Sequence, residues 1–330
     1  MSLPRLSSGL VLILALALGP RLPAAAPAAG RSYTVAVIPM GTTHEYWKML
    51  HAGALQAQAE LRAEGTPVEI IWKGPLREDD RDQQVQVVEN FIGRQVSGIV
   101  LAPLDQRALA APVEQAAQAG IPVVVVDSGL KSRAPVSFIA TDNRLGGRLA
   151  ARRLGEVLHG RGRVILLRVQ VGSASCEERE AGFLEELAAR FPAIEVISSN
   201  QHGGATRETA LAAAQNLLNR FGGRVDGIFT PNESTLAGML LALANAGLGG
   251  GQVKLVGFAN SPTYAAAIRR HDLHGLVLQD PVKMGRLGVR AIVDVLQGRP
   301  VPPLVDTGVK VATAENLDDP EIAALLRMPP

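Results

Sequence analysis

The chain has 330 residues, of which 47% are hydrophobic and 19% are charged, a composition typical of folded globular proteins and not of disordered ones. This length favours two domains over a single core. The formal net charge of +2 falls to zero if residues 1–29 are removed, because they include Arg5 and Arg21 but no acidic residue. A neutral chain lacks the basic surface with which proteins bind nucleic acid or anionic membranes.

The N-terminal segment has the parts of a secretory signal. Arg5 gives it a positive start, Leu10–Leu18 is a short apolar run, and small residues lead to a cleavage site near Ala29. The apolar run is too short to span a membrane. The sequence therefore predicts a signal peptide over residues 1–29 and a soluble periplasmic protein, with an uncleaved anchor as the alternative. Since Cys176 is the only cysteine, neither an internal disulfide nor a lipid anchor after the signal is expected.

Short β-branched runs alternate with helical stretches along the rest of the chain. The runs are nearly continuous in apolar residues, which is typical of parallel strands covered on both faces. This βαβ repetition predicts an α/β fold of doubly wound, Rossmann-like sheets, and the strands are too many for one ordinary sheet. Two lobes are therefore expected. The predicted strands are TVAVIP, VEIIWK, SGIVLAP, IPVVVVD, VSFIAT, RVILLRV, IEVISS, DGIFTP, VKLVGFA and HGLVLQ.

One segment breaks this rhythm and predicts where the chain passes between the two lobes. VSFIATDNRLGG follows the strand IPVVVVD after a short loop in which no helix fits, so a crossing is expected there. The symmetry of such folds predicts two more crossings, near Gln279-Asp280 and near Asp306-Thr307. The predicted N-terminal lobe is then residues 33–141 with 280–306, and the predicted C-terminal lobe is residues 142–279 with 307–330.

Polar or aromatic side chains follow nearly every predicted strand. Ligands of open parallel sheets bind beyond the carboxyl ends of the strands, so these side chains are candidate binding residues. Carboxylates, amides and guanidinium groups bond neighbouring hydroxyls in pairs, and aromatic faces cover the C–H patches of a sugar ring. This chemistry favours carbohydrate binding. The candidates are Thr43, Tyr46, Trp47, Asp105, Asp127, Ser128, Thr141, Arg179, Asn232, Phe258 and Gln279.

Each candidate also has a purely structural interpretation. Asp, Asn and Ser after a strand are ordinary turn and capping residues, so Asn232 could simply cap the next helix. Arg179 could form a surface ion pair or point into the cleft. Trp47 falls on the apolar face of its predicted helix, whereas Tyr46 lies about 100° away on the helical wheel. The residues alone leave these alternatives open.

Motifs for catalysis are absent from the sequence. It contains no G-x-S-x-G, no P-loop and no G-x-G-x-x-G, and His271 and His274 lack a further metal ligand nearby. We therefore expect no enzymatic activity, no metal and no cofactor. An enzyme that acts on sugars would need a paired acid and base in the cleft, for which Asp127 with Asp142 or Asp280 is the only hint.

The chain resembles the type I periplasmic sugar-binding proteins of ABC transporters, and is similar to their ribose-binding and galactose-binding members. The individual motifs are short, but their order and spacing extend from about Tyr33 to the C-terminal region. The segments that carry the resemblance are VSFIATDNRLGG, GSASCEEREAGF, AQNLLNRF, GIFTPNEST and KLVGFANSP.

The resemblance implies a two-lobed clamp with three hinge strands, in which closure buries a sugar between the lobes. It also implies roles for residues that match the ribose-binding pattern. These are Thr43 before the paired aromatics Tyr46 and Trp47, the strand-end aspartate Asp127, the hinge residues Thr141 and Gln279, the arginine Arg179 and the asparagine Asn232.

Three positions depart from that pattern. Ala259 stands where the family usually has aspartate, Ser128 stands where an arginine often follows the strand-end aspartate, and the aromatic residue expected near Ala205 is missing. The calcium loop of the galactose-binding members is not evident. These losses leave the identity of the sugar open and leave room for a bulkier or less polar ligand.

The resemblance implies a non-catalytic periplasmic receptor, a monomer that captures a pentose, hexose or deoxysugar and presents it to an ABC permease in the inner membrane. Neither nucleic acid nor a cofactor is an expected partner. One alternative is a sensor of the same fold that docks on a chemoreceptor or kinase ectodomain, and another is a periplasmic sugar-modifying enzyme.

Overall fold

The structure is a computed structural model that describes Met1 and residues 32–328. The predicted signal peptide, apart from Met1, lies outside the described residues. No helix in the described part of the chain has the length and apolar character needed to cross a bilayer.

Twelve strands and ten α-helices make up the described part of the chain, with one short 3-10 turn at Gly222–Arg224. The strands are β1 Tyr33–Ile38, β2 Val68–Trp72, β3 Gly98–Leu101, β4 Val123–Val126, β5 Ser137–Ala140, β6 Arg161–Leu166, β7 Ala193–Ser198, β8 Gly227–Thr230, β9 Lys254–Phe258, β10 Gly275–Leu278, β11 Leu304–Asp306 and β12 Lys310–Ala312. The helices are α1 Glu45–Ala63, α2 Arg81–Gly93, α3 Ala110–Gln118, α4 Asn143–Val157, α5 Ala174–Arg190, α6 Arg207–Phe221, α7 Glu233–Asn245, α8 Thr263–Arg269, α9 Pro281–Leu296 and α10 Pro320–Leu326.

The strands form two six-stranded sheets of the same design. The first has the order β11-β5-β4-β3-β1-β2, and the second has the order β12-β10-β9-β8-β6-β7. All ten predicted strands are present, and the doubly wound α/β fold with two lobes is confirmed. The strands of both sheets pair in parallel, as predicted, with one exception. The last strand of the second sheet, β12, pairs antiparallel with β10, whereas its counterpart β11 pairs parallel with β5.

Apolar side chains cover both faces of each sheet, as the continuous apolar runs predict. In the first lobe, one face of the sheet packs on α1 and α9 and the other on α2 and α3. In the second lobe, one face packs on α4 and α5 and the other on α6, α7 and α8. The polar ends of the strands are therefore the part of each sheet left for a site.

Glycine lets α4 and α5 approach closely at the start of α5. A Cβ atom on Gly147 would lie 2.0 Å from the backbone oxygen of Arg179, and one on Gly182 would lie 2.1 Å from that of Arg144. A side chain at either position would push the two helices apart. This close contact places the first turns of α5, and with them Arg179, beside the strand ends of the second sheet.

The chain passes between the two sheets three times, after β5, after β10 and between β11 and β12. Two of these connections are bonded together, because Thr141 Oγ1 donates to the backbone oxygen of Gly308 at 3.0 Å and lies 3.3 Å from Thr307 Oγ1. Asp306 Oδ1 accepts the backbone N–H of Gly308 at 2.9 Å. The connections together form a three-strand hinge.

Candidate functional site

A polar cavity lies between the carboxyl ends of the two sheets. The free space between its lining atoms is about 530 Å³, including the part that opens to solvent. Seven predicted site residues line it, namely Tyr46, Trp47, Asp127, Arg179, Asn232, Phe258 and Gln279.

Asp127 directly follows β4 and presents its carboxylate from the first lobe. Its backbone has a φ of 64°, a left-handed conformation that Asp tolerates better than most residues. The Tyr46 hydroxyl donates to Asp127 Oδ1 at 2.6 Å, and Asn143 Nδ2 donates to the Asp127 backbone oxygen at 3.3 Å. Burial raises the pKa of Asp127, while the Arg179 guanidinium and the Tyr46 hydroxyl oppose the rise.

Arg179 faces Asp127 from the second lobe and is held on every side. Its Nε donates to Asn143 Oδ1 at 2.8 Å, one terminal nitrogen donates to the backbone oxygen of Pro231 at 3.0 Å, and the other donates to Gln279 Oε1 at 3.1 Å. The guanidinium carbon lies 3.7 Å from the ring centroid of Phe258. All four partners belong to the second lobe. The guanidinium is therefore fixed before any ligand arrives.

Asn232 both caps a helix and lines the cavity. Its Oδ1 accepts the backbone N–H of Thr235 at 3.0 Å and the hydroxyl of Ser234 at 3.1 Å, as the first turn of α7 requires. The amide NH₂ makes no hydrogen bond within the described residues, so it is the part of the side chain left for the cavity. The structural and ligand-binding interpretations of Asn232 are therefore compatible.

The paired rings of α1 line the cavity and also pack in the core. Tyr46 and Trp47 meet edge to face, with ring centroids 4.8 Å apart. Both are buried, and both belong to the apolar cluster that joins α1 and α9 to the first sheet. Their polar atoms are bonded inside the site, Tyr46 to Asp127 and Trp47 Nε1 to Glu78 Oε1 at 2.5 Å.

Sequence reasoning missed a charged pair in the cavity wall, His44 and Glu78. Glu78 lies in the loop after β2, and its Oε1 is 2.7 Å from His44 Nδ1. Burial lowers the pKa of His44, but the adjacent Glu78 carboxylate outweighs burial and raises the pKa to about 9. Burial would likewise raise the pKa of Glu78, but His44 and Trp47 bring it below its usual value. The wall therefore carries an imidazolium–carboxylate pair.

Eight further lining residues were not predicted as binding residues. Five of them lie at the ends of predicted strands: Met40, Gln170 and Glu233 follow the runs TVAVIP, RVILLRV and DGIFTP, and Val169 and Ala259 are the last residues of such runs. The others lie on loops or first turns where the sequence has no periodicity. The eight are Met40, Val169, Gln170, Ser173, Ser175, Cys176, Glu233 and Ala259.

The remaining four predicted residues lie outside the cavity. Thr43 is exposed and lies in a separate groove on the far side of Glu78. Asp105 Oδ1 accepts the backbone N–H of Arg107 at 2.8 Å and so closes the turn before α3. Ser128 Oγ accepts the backbone N–H of Ser175 at 3.1 Å, and Thr141 belongs to the hinge.

Direct hydrogen bonds join the two lobes around the cavity, so the structure shows them closed. The backbone N–H of Gln106 donates to the backbone oxygen of Gly172 at 2.9 Å, and Gln106 Nε2 donates to Glu177 Oε2 at 2.7 Å. Gln170 Nε2 donates to the backbone oxygen of Glu78 at 2.9 Å. Residues 170–175 of the second lobe thus contact the loops that follow β2 and β3 in the first lobe.

The acidic residues that could have formed an acid–base pair with Asp127 cap helices instead. Asp142 Oδ1 accepts the backbone N–H of Leu145 at 2.8 Å, and Asp280 Oδ1 accepts that of Lys283 at 2.8 Å. Neither lines the cavity.

The fold and the polar cavity between the lobes define a class of protein, the two-lobed binding proteins of the type I periplasmic architecture. The family described as periplasmic binding protein domain matches residues 35–300. The chain belongs to this family.

Relatives and solved structures agree with this assignment. The chain is 31% identical over 214 residues to the ribose import binding protein of Escherichia coli (strain K12), covering 65% of this chain and 70% of that protein. It is 27% identical over 290 residues to the D-ribose/D-allose-binding protein of Pseudomonas aeruginosa, covering 85% of this chain and 88% of that protein. A carbohydrate transporter solute-binding protein from Agrobacterium radiobacter, in complex with D-arabinose, matches with a TM-score of 0.83 at 30% identity, over 90% of this chain and 99% of that one. An ABC transporter solute-binding protein from Agrobacterium vitis with bound D-fucose matches with a TM-score of 0.84 at 30% identity, over 89% and 100%.

Proposed function

We propose that this protein is the periplasmic solute-binding component of an ABC transporter and that it binds a small sugar between its lobes. The observation that carries the proposal is the cavity itself. A guanidinium and two amides of one lobe face two carboxylates of the other across a gap walled by Tyr46, Trp47 and Phe258. Such groups bond neighbouring hydroxyls, and the rings cover the apolar side of a sugar. The solved relatives with bound D-arabinose and D-fucose support the same ligand class.

Binding would proceed by closure of the hinge. The two lobes, residues 33–141 with 280–306 and residues 142–279 with 307–330, move as units about the three crossings. A ligand that contacts both lobes favours the closed form because it binds that form more tightly than the open one. The closed protein then presents the sugar to a permease. We further propose that it acts as a periplasmic monomer without catalytic activity, after removal of residues 1–29.

A thermal-shift screen over pentoses, hexoses, deoxysugars and polyols tests this function. We expect at least one sugar to raise the melting temperature, and calorimetry with that sugar to give one site per chain. D127N should weaken binding by about tenfold or more, because it removes a charged acceptor from the cavity. D318N is the matched control, because the Asp318 side chain is 94% exposed and does not line the cavity. A protein that binds no sugar or polyol, or whose affinity D127N leaves unchanged, would contradict the proposal.

A further inference from the structure

Glu233 reaches across the gap between the lobes. It is the first residue of α7 in the second lobe, and it lines the cavity beside Asn232. The backbone N–H of Tyr46 in the first lobe faces its carboxyl group and favours the charged form. Glu233 Oε2 is buried, and within residues 32–328 it has no hydrogen-bond partner. A buried carboxylate oxygen without a partner is costly, so this atom requires either a proton or a donor.

The groups around Glu233 do not neutralise its charge. From the first lobe, His44 and Glu45 at the start of α1 and Glu78 in the loop after β2 face it. His44 is the cation among them, but it already pairs with Glu78 at 2.7 Å. Glu45 Oε2 is also buried without a partner in the described part of the chain. The first lobe therefore places two groups near Glu233, the neutral ion pair of His44 with Glu78 and the carboxylate of Glu45.

The second lobe adds a titratable group near Glu233, Tyr264, which has a basic neighbour of its own. Tyr264 of α8 is buried, and the carboxylates of Glu233 and Glu45 help to raise its pKa above the usual value. Arg207 of α6 acts on Tyr264 in the opposite direction. Neither residue lines the cavity. The balance at Glu233 is thus set mainly by what the first lobe brings when the lobes close.

Closure changes the proton affinity of Glu233. Burial, followed by the charges of Glu78 and Glu45, raises its pKa from 4.5 to about 7, although His44 and the Tyr46 N–H oppose the rise. Burial is the largest of these causes, and it is lost when the lobes part and water enters, while the opposing effects of His44, Glu78 and Glu45 weaken together. An open form in which Glu233 has its ordinary pKa of 4.5 would release, between about pH 4.5 and 7, the proton that the closed form holds.

We propose that Glu233 is a ligand-contacting specificity residue, charged in the open protein and neutral when the lobes close over an uncharged sugar, so that binding takes up one proton from solvent. The proton goes to the carboxyl group, whose O–H can then donate to a hydroxyl oxygen of the sugar. This inference rests on the proposed function, because closure over a sugar is the event that transfers the proton. Glu233 would thereby make the cavity select neutral ligands over anionic ones.

Calorimetry in buffers of different ionisation enthalpy measures the proton uptake. The probe is whichever of D-ribose, D-allose, D-arabinose and D-fucose gives the largest thermal shift. At pH 6 we expect close to one proton taken up per sugar bound, falling to roughly a tenth at pH 8. Over the range from pH 5.5 to 8 the affinity should fall by roughly tenfold or more. His44 stays protonated over most of this range and contributes little to the change.

Three variants separate Glu233 from other groups. E233Q carries a permanently neutral side chain of the same shape, so it should lose the proton uptake and most of the pH dependence, and should bind more tightly than the parent at pH 8. E45Q removes a like charge outside the cavity and should move the midpoint of the pH dependence to lower pH. E177Q is the matched control, because Glu177 also bonds across the lobes but lies outside the cavity, and it should leave the proton count unchanged.

The outcomes distinguish this inference from the proposed function. Sugar binding without proton uptake at pH 6, or with an uptake that E233Q leaves unchanged, overturns the role of Glu233 and leaves the sugar-binding function standing. If no sugar or polyol of the thermal-shift screen binds, the proposed function fails and the role of Glu233 fails with it.

Discussion

The two walls of the cavity differ in their polar groups, because one presents mainly hydrogen-bond donors and the other mainly acceptors. Apart from Glu233, the charged and amide groups of the wall from the second lobe are Arg179, Asn232 and Gln279, and each guanidinium nitrogen makes one hydrogen bond within that lobe. The wall from the first lobe consists of the carboxylates Asp127 and Glu78, held by Tyr46, Trp47 and His44. One wall is a preformed set of donors, whereas the other is a set of acceptors whose charges are balanced across the gap only in part.

This difference indicates how closure is coupled to binding. The donor wall needs no rearrangement, so it can bind a sugar in the open form at little cost in conformational entropy. The acceptor wall gains the attraction of Arg179 only when the lobes approach. A sugar held by the second lobe would therefore present its hydroxyls to the carboxylates, and the added bonds would favour the closed form.

The largest expected effect is that of R179A, which tests whether the donor wall is the primary anchor. The change removes the central cation and leaves Asn143 Oδ1, the Pro231 backbone oxygen and Gln279 Oε1 without their donor. We expect sugar affinity to fall by about 3 kcal/mol, or more than 100-fold, by calorimetry. R269A, which removes an exposed arginine of α8 whose partner Asp318 is also exposed, is the control. If the affinity of R179A stays within threefold of that of the parent, the second-lobe wall is not the primary anchor of the sugar.

The second-largest effect is a fall in the free energy of unfolding at high pH, which tests the His44–Glu78 pair of the acceptor wall. The pKa of His44 is raised to about 9 by Glu78, despite the opposing effect of burial. The pair therefore stabilises the fold fully below about pH 6.5 and loses this contribution as the pH rises through 9, a loss on the order of 2 kcal/mol. Urea unfolding between pH 6.5 and 9.5 measures it. H44Q should flatten this dependence, and an equally steep decline in H44Q would assign it to other groups.

The third effect tests closure apart from the walls. Gly172 has a φ of 100°, and a Cβ atom there would lie 2.3 Å from Asp105 Oδ2 of the opposite lobe. G172A should weaken sugar binding by about tenfold, because the closed form becomes strained while no cavity group changes. Gly65 also has a positive φ, but its Cβ position has no neighbour within 4 Å, so G65A controls for backbone strain. Equal affinities of G172A and G65A would remove Gly172 from the closure mechanism.

The smallest effect is that of Y46F, which weakens one support of the acceptor wall. It removes the donor to Asp127 Oδ1, a bond of 2.6 Å, and should cost about 1 kcal/mol of sugar affinity. Because this bond opposes the rise in the pKa of Asp127, the pKa should move further upward. Calorimetry over a pH series measures both changes. Y264F, a buried tyrosine outside the cavity, should leave them unaltered.

Much of the fold followed from local pattern, but the two shortest strands did not. β11 and β12 have three residues each, and their burial is only partial. Runs of this length carry neither a continuous apolar signal nor a periodic one, so the sequence predicted a crossing near Asp306-Thr307 but no strands around it. The antiparallel direction of β12 depends on where the chain re-enters the second sheet, which no local pattern records.

The residues of the candidate site were likewise predictable only in part. Strand ends are readable in the sequence, and seven of the eleven predicted residues line one cavity. Their role in binding a sugar stays a prediction. Asp105 and Ser128 also follow strands, but their side chains bond backbone N–H groups instead. A polar residue after a strand can cap a turn or face a ligand, and only its position relative to the opposite lobe decides between the two.

The sequence by itself determined the order of strands and helices and the end of each sheet where polar groups collect, because these features depend on residues close together along the chain. The tertiary structure alone decided which polar groups meet. His44 and Glu78 are 34 positions apart, and Glu233 approaches them from the other lobe. Their charges and proton affinities arise from burial and from distances across the gap, and these exist only once both sheets have formed and the lobes have closed.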